Sequence, residues 1–144
     1  CLEAHPELNC DVEFVREAAL LHDIGIFLTS APALHCNGSH EYIEHGYLGA
    51  ELLRNEGLPR HALVCERHTG TGLSLEQIEG RNLPVPHRDM RPVSIEEQLI
   101  CYADKFYSKS NLYKVLNYEQ AYSSLLKFGI EGAERFHSWH LKFG

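Results

Sequence analysis

Ala18-Ala19-Leu20-Leu21-His22-Asp23-Ile24-Gly25 is the stretch on which the reading of the fold turns. Asp11 can cap a helix beginning at Val12, with Glu13 in its first turn where the helix dipole favours negative charge. Val15, Ala18, Ala19 and His22 then follow at i, i+3, i+4 and i+7, so an apolar helical stripe ends in a histidine with an aspartate directly behind it. Gly25 is the expected C-terminal stop.

Working outward, the same design recurs. Residues 29–39 hold Ser30, Pro32, Asn37 and Gly38 and read as a loop, after which Ser39 can cap a helix running to about Glu56. Tyr42, His45, Gly46, Gly49 and Leu53 share one face of it, and the two glycines imply a close neighbour there. Pro59 opens a third helix carrying His61, Val64, Cys65 and His68 as one stripe, ended by Gly70 and Gly72. Ser74 with Gln77 and Ser94 with Glu97 are capping-box patterns on either side of a Pro-rich loop from Gly80 to Val93. The second opens a helix on which Ile100, Ala103, Asp104 and Tyr107 line one side. Two more amphipathic helices, 118–128 and 131–143, are separated by Gly129. No β-type alternation of useful length and no internal repeat appears, so the expected fold is all-α, a single-domain helical bundle over residues 1–144. The chain opens at Cys1 rather than Met, and residues 1–5 read as the tail of a segment begun earlier, so an N-terminal helix is expected to be missing.

Composition sets bounds on function. Of 144 residues, 44% are hydrophobic and 23% charged, as in ordinary folded domains. No apolar run approaches the length of a membrane span, and no leader precedes a small-residue cleavage site, so a cytoplasmic protein is expected. A net charge of −7 and the lack of any Lys/Arg run argue against a nucleic-acid partner. Five cysteines, Cys1, Cys10, Cys36, Cys65 and Cys101, contain no C-x-x-C pair and read as reduced, mostly buried thiols. The ten histidines are the anomaly.

Three helices carry or end an apolar stripe with a histidine, a fourth carries Asp104 there, and Asp23 follows the first histidine. One such residue alone is usually a satisfied core or edge group. Several together would leave unpaired buried polar atoms, each costing kcal/mol, unless a shared ligand resolves them. A metal does so, because imidazole nitrogens and carboxylate oxygens from facing helices can point at one ion. Histidine and aspartate without thiolate suit iron, manganese, zinc or magnesium.

Through residues 18–25 the chain resembles the HD-domain metal-dependent phosphohydrolases. The resemblance continues through His45-Gly46-Tyr47-Leu48-Gly49-Ala50, Glu66-Arg67-His68-Thr69-Gly70 and Leu99-Ile100-Cys101-Tyr102-Ala103-Asp104-Lys105, in the family's order, and covers roughly residues 12–110. It implies an all-α bundle and two divalent metals, His22, Asp23 and Asp104 holding one, His45 and His68 the second, and Asp23 bridging as the catalytic carboxylate. The subgroup it most resembles splits diadenosine tetraphosphate symmetrically. Lys105, Arg67 and Thr69 stand beside presumptive ligands and are the candidates for binding substrate phosphate. Relatives also carry a further ligand histidine well upstream and a lysine soon after the dyad, where this chain reads Ile24-Gly25-Ile26-Phe27. Phosphate neutralisation must then come from elsewhere.

The expected function is metal-dependent hydrolysis of a phosphoester or phosphoanhydride bond in a nucleotide or similar small molecule, by metal-activated water. The alternatives are a non-catalytic HD module that keeps a metal or nucleotide site for regulation, and a di-iron HD oxygenase. The oligomeric state stays open between monomer and homodimer.

Overall fold

Asp11 accepts a hydrogen bond from the Phe14 amide at 3.1 Å and starts α1, Val12–Leu21, in the computed structural model, which describes residues 5–109, 111 and 113–144. The expectations for Cys1 and its neighbours therefore lie outside the described residues. The other helices are α2, His45–Asn55; α3, Pro59–Arg67; α4, Leu75–Gly80; α5, Ile95–Asp104; α6, Tyr118–Leu126; and α7, Ile130–Phe143. The chain is all-α, as expected. The one sheet among the described residues is an antiparallel pair, β1, Ser30–Ala31, with β2, Cys36–Asn37, inside the segment expected to be loop.

Helix starts follow the local chemistry. Ser74 and Gln77 form the reciprocal capping box at α4. Ser94 accepts from the Glu97 amide at α5, but the Glu97 carboxylate turns to the Val93 amide and to Arg67, so that box is half made. Ser39 does not cap a helix. A 3₁₀ turn, Tyr42–Glu44, comes first, boxed by Glu41 and Glu44, and α2 continues from it.

Gly25 is also not a helix stop of the expected kind. α1 ends at Leu21, and a 3₁₀ segment, Ile24–Leu28, follows. A Cβ on Gly25 would lie 2.1 Å from the His45 carbonyl oxygen and 2.5 Å from the Gly49 nitrogen, so glycine is required by the backbone of α2. Gly49 in turn leaves room for the Cys65 sulfur of α3, and α2 and α3 make the most extensive helix pair. The close neighbour implied by the glycines of α2 is thus two elements, one on each side.

The largest core lies where α5, α6 and α7 meet, around Leu99, Tyr102, Leu125, Phe136, Trp139 and Phe143. A second cluster joins α1, α3 and α5 through Phe14, Ala18, Val64 and Ile100. The Pro-rich loop is tied down: Met90 and Leu73 exchange backbone hydrogen bonds, and Val85 and Met90 pack on Ile78. Among the described residues no helix is long and apolar enough to cross a membrane. Cys10, Cys36, Cys65 and Cys101 are all free, and burial pushes the Cys65 and Cys101 thiols up to about 12, which keeps them protonated.

Candidate metal centre

Three helix C-termini meet at one point. His22 is the C-cap of α1, His68 of α3, and Asp104 is the last residue of α5 with Lys105 as its C-cap. Each helix end carries a partial negative charge from its unpaired carbonyls, and three of them with two carboxylates make a place for cations.

The histidines are oriented by their own backbones. Nδ1 of His22, His45 and His68 lies 2.6 Å from the carbonyl oxygen three residues earlier, at Ala19, Tyr42 and Cys65. A carbonyl only accepts, so each Nδ1 carries a proton and donates it, and each Nε2 faces inward. Such a backbone or carboxylate partner on the far ring nitrogen is the usual support of a metal-ligating imidazole.

Inward, the atoms converge. Asp23 Oδ1 is 3.0 Å from His68 Nε2 and 3.5 Å from His45 Nε2, while its Oδ2 is 3.3 Å from His22 Nε2. His22 Nε2 also lies 3.2 Å from Asp104 Oδ1. Two groups of ligand atoms arise, His22 with His68 and Asp104, and Asp23 with His45 and His68, each within 4.8 Å. The expected five ligands are therefore brought together. His68 belongs to both groups, and Asp23 divides its oxygens between the histidines of both.

The electrostatics sharpen this. Burial alone would raise both aspartates, yet His22 at Asp23, and Lys105 and His22 at Asp104, hold them ionised far below the usual carboxylate range. Burial would lower His22, but hydrogen bonds to Asp104 and Asp23 lift it to about 9. Burial and the neighbouring His68 push His45 down to about 4, and burial likewise lowers His68. His45 and His68 are thus neutral imidazoles, both buried, with their Nε2 atoms 3.0 Å apart. Since each proton is spent on a carbonyl, two lone pairs face one another. No hydrogen bond satisfies that arrangement; a cation between them and Asp23 does. The donor set fits a divalent metal.

Of the expected phosphate-binding residues, Lys105 stands at the centre, 2.8 Å from Asp104 Oδ2 and 3.2 Å from the His68 carbonyl oxygen. Thr69 lines a mainly apolar cavity of about 380 Å³ together with Tyr42, Leu73 and Phe128. Arg67 is a correction. Adjacent helical residues point about 100° apart, and its guanidinium turns from the cluster to bond Glu97 at 2.9 Å, in a cavity shared with Arg91 and Arg135. The other described histidines seen with partners are engaged elsewhere, His5 with Glu7, His40 with Glu44, His61 with Glu17, His137 with Tyr118 and His140 with Tyr102.

Two residues not expected in the site from the sequence enter the centre. Lys109 Nζ is 2.8 Å from Asp23 Oδ1 and 3.9 Å from Asp104 Oδ1. Tyr42 lays its ring 4.6 Å from that of His45. Its spacing of three from His45 was a readable signal. Lys109 lies in a loop, where helical periodicity gives none.

An all-helical chain that gathers three imidazoles and two carboxylates at converging helix ends defines a candidate divalent-metal protein. The chain belongs to the HD-domain family: the family's HD-domain model matches residues 1–108. It is 41% identical over 95 residues to an uncharacterized protein of Methanocaldococcus jannaschii, covering 65% of this chain and 48% of that one. It is also similar to two proteins named tRNA (cytidine(56)-2'-O)-methyltransferase. That of Picrophilus torridus is 34% identical over 78% of this chain and 29% of the relative, and that of Thermoplasma volcanium 32% identical over 92% of this chain and 35% of the relative. The chain thus spans between about a third and a half of the length of these relatives. No solved structure gives a significant match.

Proposed function

We propose that this chain is a metal-dependent phosphohydrolase acting on a phosphoester or phosphoanhydride bond of a small, nucleotide-like molecule. The observation that carries the reading is the pair of buried, neutral imidazoles of His45 and His68 turning their Nε2 lone pairs toward each other and toward Asp23. His22, Asp23, His45, His68 and Asp104 would hold the ions, with Asp23 as the bridging carboxylate. A divalent metal bound there lowers the pKa of a water and offsets charge on phosphoryl oxygens. The chain's own residues supply the rest. Lys105 fixes Asp104 and the end of α3, and beside Asp104 opens a cavity of about 480 Å³ lined also by Tyr42, Ser30 and Ser124, roomy enough for a phosphorylated ligand. Manganese and iron are the metals to load first, and diadenosine tetraphosphate is one substrate of the panel. With a net charge of −7, a small anion held by metal is favoured over a nucleic acid.

The test is metal content by elemental analysis on protein purified without chelator, wild type against Asp23→Ala, followed by phosphate release from a panel of nucleotides. Bound transition metal that is lost in Asp23→Ala, with turnover of at least one nucleotide, supports the reading. Protein that takes up neither manganese nor iron sinks it. A second reading rests on the two methyltransferase relatives, in which the matched segment is about a third of a protein named for a different reaction. There the segment would be a non-catalytic, metal-binding module, and metal uptake without any turnover would favour it.

A further inference from the structure

We propose that Lys109 is the residue that binds the substrate's phosphoryl group, in place of a lysine near the His22–Asp23 dyad; the inference rests on the phosphohydrolase reading. Two cavities open on Asp104, one of about 480 Å³ toward Tyr42 and Lys105, the other of about 350 Å³ between α1 and α5. Asp104, Tyr107 and Lys109 line both, so the Lys109 side chain stands on the wall between them. Besides His22, the cationic side chains lining these two cavities are, among the described residues, Lys105 and Lys109. Lys105 is committed: its ammonium bonds Asp104 and the His68 carbonyl and sits at the end of α5. Arg67 is turned to Glu97.

Lys109 differs in its support. It projects from the loop after α5, whose base is closed by Leu116 donating to the Phe106 carbonyl at 2.7 Å and by Ser108 donating to that of Lys114 at 3.3 Å. The backbone is thus anchored beside the centre, and the ammonium sits at the end of a flexible four-carbon stem. Its partners are Asp23 at 2.8 Å and, more distantly, Asp104, with the Tyr42 hydroxyl beside it. With a divalent cation held by Asp23, that carboxylate's charge would no longer call for the ammonium. Lys109 would then be placed to donate to an anionic oxygen in the larger cavity, within a side chain's reach of the same carboxylates. The position suits a phosphoryl oxygen, because an ammonium is a compact donor that needs no fixed fork geometry.

The experiment measures binding of inorganic phosphate to the manganese-loaded protein by calorimetry, for wild type, Lys109→Ala and Lys109→Arg, with manganese content and thermal midpoint determined on the same samples. The expected result is phosphate affinity lowered roughly tenfold or more in Lys109→Ala, the loss of a charge-assisted hydrogen bond. Lys109→Arg should recover it to within about threefold, at equal manganese content and equal midpoint. Phosphate binding in Lys109→Ala as tight as in wild type would overturn the inference. So would loss of manganese in Lys109→Ala, which makes the lysine part of the metal cradle, or wild-type protein that loads manganese and binds no phosphate. Lysine-dependent phosphate binding without turnover of any nucleotide upholds the inference while the phosphohydrolase reading fails.

Discussion

Glu66 shows how tightly single residues around the centre are constrained. It lies on α3 two positions before His68, buried, with its carboxylate held by Arg54 at 3.1 Å and by Arg88 from the Pro-rich loop. Burial would raise its carboxyl, but the two guanidiniums outweigh that and hold it below the ordinary glutamate value. A carboxyl lowered in the folded state contributes stability that is fully present above its unfolded value, about 4.3, and is lost as pH falls through the lower folded value. Glu66→Gln should therefore destabilise the protein at neutral pH by roughly 1–3 kcal/mol, since it leaves the Arg88 guanidinium without its carboxylate and Arg54 with Glu51 alone. The difference from wild type should shrink as the pH drops below about 4, and urea unfolding across that range checks it. The residues that converge at the centre were legible at this scale because each histidine ends or begins a helix in register with an apolar stripe. Arg67 turns away from the centre because sequence adjacency to His68 is not spatial adjacency on a helix, and the approach of Lys109 to Asp23 has no sequence signal because a loop residue has no register to betray it.

Elements set the spacing that these residues need. The α1 cap and the Gly25 contact act at opposite ends of one segment: Asp11 starts the helix that delivers His22, and Gly25 lets the chain leaving Asp23 press against α2, which delivers His45. Asp11 also pairs with Arg60 at 2.9 Å. Asp11→Ala should cost about 0.5–2 kcal/mol in chemical denaturation, the usual worth of an N-cap, because the Phe14 amide loses its acceptor. Gly25→Ala should cost about 1–3 kcal/mol, since a methyl there meets backbone that must shift. It should also weaken manganese binding, because the atom displaced first is the His45 carbonyl; calorimetric titration of the variant measures this. The helices themselves could be read from caps, prolines and periodicity. The segment from Ile24 to Glu44 could not, since its 3₁₀ turns are single short turns closed by bonds three residues apart, such as the Glu44 amide to the Glu41 carbonyl, and the β1–β2 pair is framed by bonds across the loop, such as the Ser30 amide donating to the His40 carbonyl; neither is long enough to show a periodic pattern.

At the scale of the whole molecule the centre is a convergence of charge that folding must assemble. The ends of α1, α3 and α5, with Asp23 and Asp104, bring negative potential to one point in a chain already carrying −7. His22 and the two lysines offset part of it. In the unfolded chain the five candidate ligand residues are scattered between positions 22 and 104 and cannot act together. A divalent cation held at the centre would therefore bind the folded state almost exclusively, and its binding free energy would add to folding stability by mass action. At a free manganese concentration a hundredfold above the dissociation constant the gain is about 2.7 kcal/mol. For a chain of this size that corresponds to a rise in thermal midpoint of roughly 5–10 °C. Chelator should reverse the shift. Asp23→Ala should lose most of the shift, because it removes the carboxylate whose oxygens reach the histidines of both groups of ligand atoms, whereas Glu66→Gln should start from a lower midpoint and still gain the full increment. A midpoint that rises equally with manganese in wild type and Asp23→Ala would mean that the metal acts at some other surface, and the convergence of helix ends would then be a structural arrangement without a metal to hold.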